Sequence, residues 1–240
     1  MQSRQSPRPV LTGRTAPRVF ANRTAAGTEL ARALKRRTLP LPVVVLGLPR
    51  GGVAVAAPVA NALRAALDVI VVRKVGMPGQ PELAIGAIAL PNILVREPRV
   101  ADELSEYDDL HDMSFERAAS EERRELDRRE QLYREGLPPL DLSGKTAILV
   151  DDGLATGSTM LAAIRAARAA KAARIVVAAP VASPHAAALV AAEADETILL
   201  ETPPLFAIGQ WYGEFEQLDD QEVCRLLALG RGSPVAETPP

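Results

Sequence analysis

One apolar run that ends in two adjacent acids constrains the fold of this chain more than any other feature. Residues 147–150 are apolar and predict a short buried strand, and Asp151 and Asp152 follow it directly. Residues 153–157 are mostly small and predict a turn, after which Ser158 begins an alanine-rich helical stretch. In α/β proteins, ligands bind in the crevice beyond the carboxyl ends of parallel strands. The stretch therefore predicts a ligand-binding crevice at this turn.

The polar groups around the turn match the two ends of a sugar phosphate. Backbone N–H groups at a helix N-terminus, together with neighbouring hydroxyls, favour a phosphate dianion. Carboxylates only accept hydrogen bonds, so the acid pair suits a vicinal diol, with about 1.5–3 kcal/mol for each charge-assisted hydrogen bond. A diol and a phosphate so placed describe a ribose 5-phosphate. The predicted diol ligands are Asp151 and Asp152, and the predicted phosphate ligands are Ala155, Thr156, Gly157, Ser158 and Thr159.

Residues 147–159, AILVDDGLATGST, resemble the phosphoribosyl-pyrophosphate (PRPP) binding motif of type I phosphoribosyltransferases. A Walker A loop requires a lysine after its last glycine, and no lysine follows Gly157. The other alternative is a capped strand-to-helix turn with a solvated acid pair. The resemblance is closest to predicted stand-alone phosphoribosyltransferases that carry PRGG, RK-G and DDG-ATG-T sequences. It implies a doubly wound parallel α/β sheet with a small variable hood and an inserted charged helix.

Two basic stretches resemble the pyrophosphate-binding elements of the family. The predicted strand 43–47 leads into Arg50, Gly51 and Gly52, although a generic strand-to-helix turn has a similar sequence. A second predicted strand, 68–73, ends at Arg73 and Lys74, where cations would face the crevice. The alternative for these two residues is a pair of surface charges. The run RKVGMPGQ favours the functional interpretation, since it resembles the loop after the second strand of adenine phosphoribosyltransferases.

A glycine- and proline-rich stretch follows, at residues 76–81, and predicts an irregular loop. The resemblance identifies it with the mobile loop that closes over the reacting sugar. Glu82 begins the next predicted strand and is the candidate proton acceptor, so the candidate catalytic residues are Glu82, Arg73 and Lys74. Hypoxanthine-guanine enzymes carry an acid where this chain has Ala155, which disfavours 6-oxopurines.

The resemblance implies Mg²⁺-dependent displacement of pyrophosphate from C1 of PRPP by a nitrogen heterocycle. Asp151 and Asp152 would hold the ribose hydroxyls, directly or through Mg²⁺. One alternative is a PRPP-sensing regulator of the same fold, which should carry a basic face or an added helix-turn-helix. Another is a hydrolase or phosphorylase that acts on ribosyl phosphates. The sequence leaves the acceptor unnamed.

An aromatic cluster near the C-terminus is the candidate base-recognition segment. Four of the eight aromatic residues lie at positions 206–215: Phe206, Trp211, Tyr212 and Phe215. They would stack on a flat heterocycle, or they would fasten the last predicted helix to the domain. The resemblance places this cluster in the hood, residues 200–217. Gly153 stands where the family has a bulky apolar residue, and its small size either loosens the turn or makes room for another side chain.

The alternation of predicted strands and helices indicates a parallel sheet covered on both faces. Further predicted helices are 22–37, 52–67, 114–135, 158–171, 183–194 and 219–229, and further predicted strands are 82–89, 174–180 and 196–200. The charged helix 114–135 would cross the domain or lie in a dimer interface, and a homodimer is expected. The domain spans residues 20–230, between tails at 1–19 and 231–240 that are predicted to be disordered.

Charge and cysteine content limit the partners and the compartment. The 28 basic and 30 acidic residues give no reason to expect nucleic acid or an anionic membrane as partner. No apolar run approaches the about 18 residues of a membrane span, and no leader resembles a signal peptide. A single cysteine excludes an internal disulfide and fits a reducing compartment, so a cytoplasmic location is predicted.

Overall fold

Apolar segments of the chain form the strands of two sheets, and helices cover the larger one. The computed structural model describes residues 19–77, 80–91, 93–96 and 108–231; the side chains of residues 80–84, 108–116 and 231 lie outside that description. The elements are α1 (Arg23–Leu34), β1 (Val43–Gly47), α2 (Gly51–Leu63), β2 (Ala66–Val69), β3 (Val72–Met77), β4 (Gln80–Ala89), β5 (Ile93–Arg96), α3 (Asp108–Tyr133), β6 (Thr146–Val150), α4 (Ser158–Ala169), β7 (Arg174–Val181), α5 (Pro184–Ala191), β8 (Glu196–Glu201), a 3₁₀ turn (Ile208–Trp211) and α6 (Asp220–Arg231).

Five strands form a parallel sheet in the order β2-β1-β6-β7-β8, as the predicted fold class requires. Along β6, alternate side chains enter opposite cores: Ile148 packs with α1, α2 and α6, whereas Leu149 packs with α4 and α5. The sheet is thus covered on both faces. Gly47 is in register with both Val69 and Val150, so β1, β2 and β6 end at one level. The segments that follow these strands therefore start at the same edge of the sheet.

The structure contradicts two predictions, the single strand at residues 68–73 and the irregular loop at residues 76–81. The apolar run is divided: β2 ends at Val69 in the parallel sheet, and β3 begins at Val72 in a separate antiparallel sheet of order β3-β4-β5. Gly76 and Gln80 lie in β3 and β4, because these two strands pair as a hairpin whose register shifts next to Gly76. Residues 78 and 79 lie outside the described residues. The prediction failed because hydropathy alone does not show that a continuous apolar run is divided between two sheets.

The charged helix α3 crosses the domain within one chain. It begins at Asp108, six residues before the start at residue 114 that the sequence predicted. Ala119, Leu126 and Tyr133 form its buried seam. The Tyr133 hydroxyl donates to Asp220 of α6 at 2.5 Å. Most other helices and strands match their predicted positions within a few residues, including α5 with Ser183 as its N-cap.

Neither tail falls within the description: residues 1–18 and 232–240 lie outside it, as do residues 97–107. Among the described residues, no helix is long and apolar enough to cross a membrane.

Candidate functional site

The turn after β6 is held in place by hydrogen bonds to the next strand-to-helix connection. The Leu154 N–H donates to the Val181 carbonyl at 2.9 Å, and the Ser183 N–H donates to the Leu154 carbonyl at 2.8 Å. The Ser183 hydroxyl donates to the carbonyl of Ala155 at 2.7 Å. Gly157 has a φ of 90°, which a residue with a Cβ rarely adopts, and it is the N-cap of α4. These contacts fix the loop shape that precedes the helix.

The predicted phosphate ligands come together at the N-terminus of α4. Ala155 is exposed, Thr156 and Thr159 are half-buried, and Ser158 is buried as the first residue of the helix. The hydroxyls of Thr156 and Ser158 lie 2.9 Å apart and share a hydrogen bond. The first backbone N–H groups of a helix have no intrahelical acceptor, and the helix dipole favours an anion there. The loop therefore offers an anion both backbone and hydroxyl donors.

The two predicted diol ligands have different surroundings. Asp151 Oδ1 accepts the backbone N–H of Asp152 at 2.8 Å, whereas Asp152 Oδ2 accepts Arg23 Nε at 2.8 Å. Burial, and after it the charge of Asp152, raises the pKa of Asp151 well above its ordinary value. Burial also raises the pKa of Asp152, and the hydrogen bond from Arg23 opposes that shift. The pair is thus a site where one further cation or hydrogen-bond donor would be stabilising.

The loop after β1 packs directly against the acid pair. A Cβ on Gly51 would collide with the Asp152 carboxylate, and a Cβ on Gly52 would lie 2.6 Å from the Val150 carbonyl oxygen and 3.0 Å from the Asp151 Cα. Both glycines are therefore required by close approach. Arg50, which is half-buried, precedes α2. The fold brings the predicted pyrophosphate loop and the predicted ribose ligands into contact.

Arg73 and Lys74 do not occupy the strand end that the sequence predicted, because both lie in β3 of the hairpin sheet. Arg73 Nε donates to Glu122 of α3 at 2.8 Å, so α3 compensates its charge. Lys74 is exposed, and its charge lowers the pKa of both Asp151 and Asp152. Of Arg73 and Lys74, Lys74 thus has the charge that acts on the crevice. Glu82 lies in β4, and its side chain lies outside the described residues.

The aromatic cluster divides between structural contacts and exposure. Tyr212 is buried, and its hydroxyl donates to the main-chain oxygen of Asp152 at 2.6 Å. Its ring contacts Phe20 and Phe215, with centroid separations of 5.7 and 5.0 Å. Trp211 is half-buried, whereas Phe206 is 93% exposed. Tyr212 therefore fastens the hood to the acid pair, and Phe206 presents a free ring.

Two site contacts join segments whose pairing the sequence did not identify. Arg23 lies 129 positions from Asp152 in sequence, and nothing around it marks a partner for an acid. Gly153 leaves space that Ile208 fills: the Cγ2 of Ile208 lies 2.6 Å from where a Cβ on Gly153 would stand. The small residue after the acid pair thus admits the 3₁₀ turn of the hood. The Gly153 contact confirms the predicted alternative in which the small residue makes room for another side chain. The identity of each partner had no local signal, because each contact joins segments that are distant in sequence.

The acid pair fits the way in which proteins bind Mg²⁺ beside phosphates. Mg²⁺ is commonly held by one or two carboxylates together with substrate phosphates and waters. Asp151 and Asp152 supply the carboxylates, and within the described ranges no cluster of three or more His, Cys, Asp or Glu side chains forms a complete metal cage. These residues would therefore hold the ion together with a phosphorylated ligand.

A family model described as "Phosphoribosyl transferase domain" matches residues 22–210. The Mycobacterium tuberculosis proteins Rv0571c and MT0597, both named provisionally as phosphoribosyl transferases, are 43% identical to the chain over 211 residues. That match covers 88% of this chain and 46% of each relative, so the chain spans about half the length of these curated relatives. The crystal structure of TT1426 from Thermus thermophilus is 41% identical, with a TM-score of 0.73, over 89% of this chain and 100% of that one.

Proposed function

Because this chain belongs to the phosphoribosyl transferase family, we propose that it transfers the 5-phosphoribosyl group of PRPP to a nitrogen heterocycle. In this reaction the bond from C1 to the pyrophosphate oxygen breaks, and pyrophosphate leaves with the electron pair. The heterocycle nitrogen forms the new bond to C1 and loses its proton to a base. The observation that carries the proposal is the contact of the Gly51 loop with Asp152, beside the loop of residues 153–157.

Each segment of the crevice has a role that follows from its groups. The 5-phosphate would bind at the N-terminus of α4, where residues 155–159 supply N–H and hydroxyl donors. The ribose hydroxyls would donate to the acid pair, of which Asp151 makes no ion pair within the described part of the chain. Pyrophosphate would lie against the Gly51–Gly52 loop, with Arg50 and Lys74 as nearby cations. Catalysis would come chiefly from positioning and from charge placement.

Asp151 and Asp152 would hold Mg²⁺ together with PRPP. When bound, the ion would neutralise charge that develops on the departing pyrophosphate. The proton of the heterocycle requires an acceptor, and Glu82 remains our proposal for that role. Lys74 supports the same reaction by placing a positive charge near the crevice. Arg73 is the weaker candidate, because Glu122 engages its guanidinium.

The acceptor would bind beneath the hood. Phe206 is the predicted base-recognition residue whose ring is free, since Tyr212 is buried and Trp211 is half-buried. A ring stacked on a heterocycle contributes about 1–3 kcal/mol. The alanine at position 155 disfavours 6-oxopurines, so adenine and uracil form the first acceptor screen, and xanthine, itself a 6-oxopurine, is included as an acceptor that should react poorly.

Calorimetric titration of PRPP with Mg²⁺ tests the proposal. The wild-type chain should bind, and the Asp151→Ala/Asp152→Ala double variant should not, while Asp127→Ala, an exposed acid on α3, serves as the control. Absence of wild-type binding would refute the proposal. Product analysis then separates the chemistries, since base consumption indicates transfer, and release of ribose 5-phosphate without base indicates hydrolysis. Binding without turnover, combined with retention of nucleic acid, would identify a regulator.

A further inference from the structure

Arg23 joins the second acid of the motif to α1. Its Nε lies 2.8 Å from Asp152 Oδ2, and the two side chains are only 12% and 13% exposed. Ion pairs on an open surface contribute little, but a pair this shielded is expensive to break, because the remaining charge stays buried and unpaired. Arg23 has no role in the proposed function. Its position nevertheless makes it a direct neighbour of a proposed substrate ligand.

The same guanidinium holds the hood. Its Nη1 donates to the carbonyl oxygen of Glu216 at 2.7 Å, and its Cζ lies 3.8 Å from the centroid of the Phe215 ring. Phe215 contacts Tyr212, which donates its hydroxyl to the main chain of Asp152. The side chain of Asp152 is therefore linked to the hood through Arg23, and the main chain of Asp152 is linked to the hood through Tyr212. A change in the position or the charge of the Asp152 carboxylate should therefore change the geometry of the hood.

Backbone hydrogen bonds between Phe20 and the hood add to these contacts. The Phe20 N–H donates to the Trp211 carbonyl at 2.8 Å, and the Gly213 N–H donates to the Phe20 carbonyl at 2.8 Å. The segment before α1 thus runs beside the hood, and Arg23 follows it as the first residue of the helix. Trp211 is the only tryptophan of the chain. Its fluorescence therefore reports on the hood alone.

We propose that Arg23 is a positioning residue that couples Asp152 to the hood, and that Asp151 is the principal acceptor for the ribose hydroxyls. Each acid packs against one glycine of the loop after β1, but Asp152 is engaged by Arg23, whereas no ion pair in the described part of the chain engages Asp151. The two adjacent acids therefore have different tasks. The assignment of the hydroxyls rests on the proposed function, but the coupling of Arg23 to the hood does not.

The test compares single substitutions in the whole chain. Arg23→Met removes the charge at similar length, and Asp152→Asn weakens the acceptor while it keeps the shape. Both should shift the Trp211 emission to longer wavelength and increase its quenching by acrylamide, because the hood loosens. Arg23→Met also removes the contacts with Glu216 and Phe215, so its effect should be the larger one. The double variant should add little to Arg23→Met, since the bond from Arg23 to Asp152 is already lost there. Arg32→Met, at an exposed position on the same helix, should change nothing.

The PRPP titration separates the two acids. Asp151→Asn should weaken PRPP binding by about tenfold or more, with an unchanged Trp211 spectrum in the free protein. Arg23→Met should weaken PRPP binding by much less than Asp151→Asn does. Arg23→Lys should restore part of the Trp211 signal, because it keeps a cation near Asp152. If circular dichroism shows that Arg23→Met does not fold, Arg23→Lys replaces it in the comparison. The shift in Trp211 emission of Arg23→Lys should then be smaller than that of Asp152→Asn.

Two outcomes would overturn the proposal. One is an unchanged Trp211 spectrum in both Arg23→Met and Asp152→Asn. The other is an equal loss of PRPP affinity in Asp151→Asn and Asp152→Asn, which would assign the ribose to both acids. If the wild-type chain binds no PRPP, the proposed function fails together with the assignment of the hydroxyls. The Trp211 comparison in the ligand-free proteins still decides whether Arg23 positions the hood.

Discussion

Ile208 occupies the space that a side chain at Gly153 would need, with its Cγ2 2.6 Å from the position of a Cβ there. The turn that follows the acid pair and the 3₁₀ turn of the hood therefore interlock. The absence of a side chain in one segment allows the other to dock. Together with the hydrogen bond from Tyr212 to Asp152 O, this contact makes the hood part of the same rigid surroundings as the motif.

The Gly153→Ala substitution should destabilise the chain by about 1–3 kcal/mol, the usual cost of overpacking a core. The added methyl group would displace Ile208, so Trp211 emission should also change. Urea denaturation of Gly153→Ala, Ile208→Ala and the double variant measures the effect. Ile208→Ala should lower the free energy of unfolding less in the Gly153→Ala background than in the wild type. Equal costs in both backgrounds would show that the two residues do not compete for space.

Removal of the charge at Asp151 should stabilise the free protein at neutral pH. The folded-state pKa of Asp151 is raised, so the native state holds the proton more tightly than the unfolded chain. Stability therefore falls as pH rises from about 4, the unfolded value, through the folded value. Asp151→Asn should gain about 0.5–2 kcal/mol at pH 7 and little at pH 4.

Urea midpoints in EDTA, without PRPP, measure this gain at the two pH values. Asp152→Asn is the matched comparison, and it should show no such gain because it leaves Arg23 without its charged partner. A gain in Asp151→Asn that is equally large at pH 4 would contradict the electrostatic explanation.

Substitution of Glu82 by glutamine should lower turnover and leave PRPP affinity nearly unchanged. A general base typically contributes a factor of about 10²–10⁴ to the rate, and glutamine cannot accept the proton. Steady-state kinetics with an acceptor found in the screen, combined with PRPP calorimetry, gives both quantities. Turnover equal to that of the wild type would remove Glu82 from the role.

We expect Phe206 to affect binding of the acceptor heterocycle, but neither the stability of the fold nor the affinity for PRPP. Its ring is 93% exposed, so Phe206→Ala should change the free energy of unfolding by less than about 0.5 kcal/mol. The loss of stacking, about 1–3 kcal/mol, should raise the KM for the heterocycle by roughly five-fold or more. PRPP affinity should be unchanged. Leu229→Ala, another exposed apolar residue, is the control, and a KM unchanged by Phe206→Ala would show that the ring does not contact the acceptor.

The guanidinium of Arg134 is a buried cation that lies outside the site. It is 8% exposed and bonds to Asp68 at 3.1 Å and Glu130 at 3.2 Å, so it links the segment after α3 to β2. Arg134→Met should cost about 3–5 kcal/mol, because it removes a buried cation that bonds to two partly buried acids. Arg117→Met removes a pair of which the arginine is 85% exposed, and its cost should stay within about 0.5 kcal/mol. Chemical denaturation compares the two, and equal costs would contradict this reasoning.

Much of the fold could be predicted because its signals are local. The runs at residues 43–47 and 147–150 are apolar without alternation, as strands covered on both faces are. Ser183 and Pro184 mark the start of α5 by their own chemistry. The acids and the glycine turn after β6 identified the crevice for the same reason. By itself, the sequence thus determined the parallel sheet, its helices and the chemistry offered at the end of β6.

Only the tertiary structure decided what depends on pairing between distant segments. The division of the apolar run at Ile70 follows from the hairpin that β3 forms with β4, and hydropathy alone carries no signal for it. The partners of Arg73, Arg23 and Gly153 lie 49, 129 and 55 positions away in sequence. Such contacts form because the folded backbone places the residues within a few ångströms and shields them from water. The different surroundings of Asp151 and Asp152, identical and adjacent in sequence, are therefore a property of the fold.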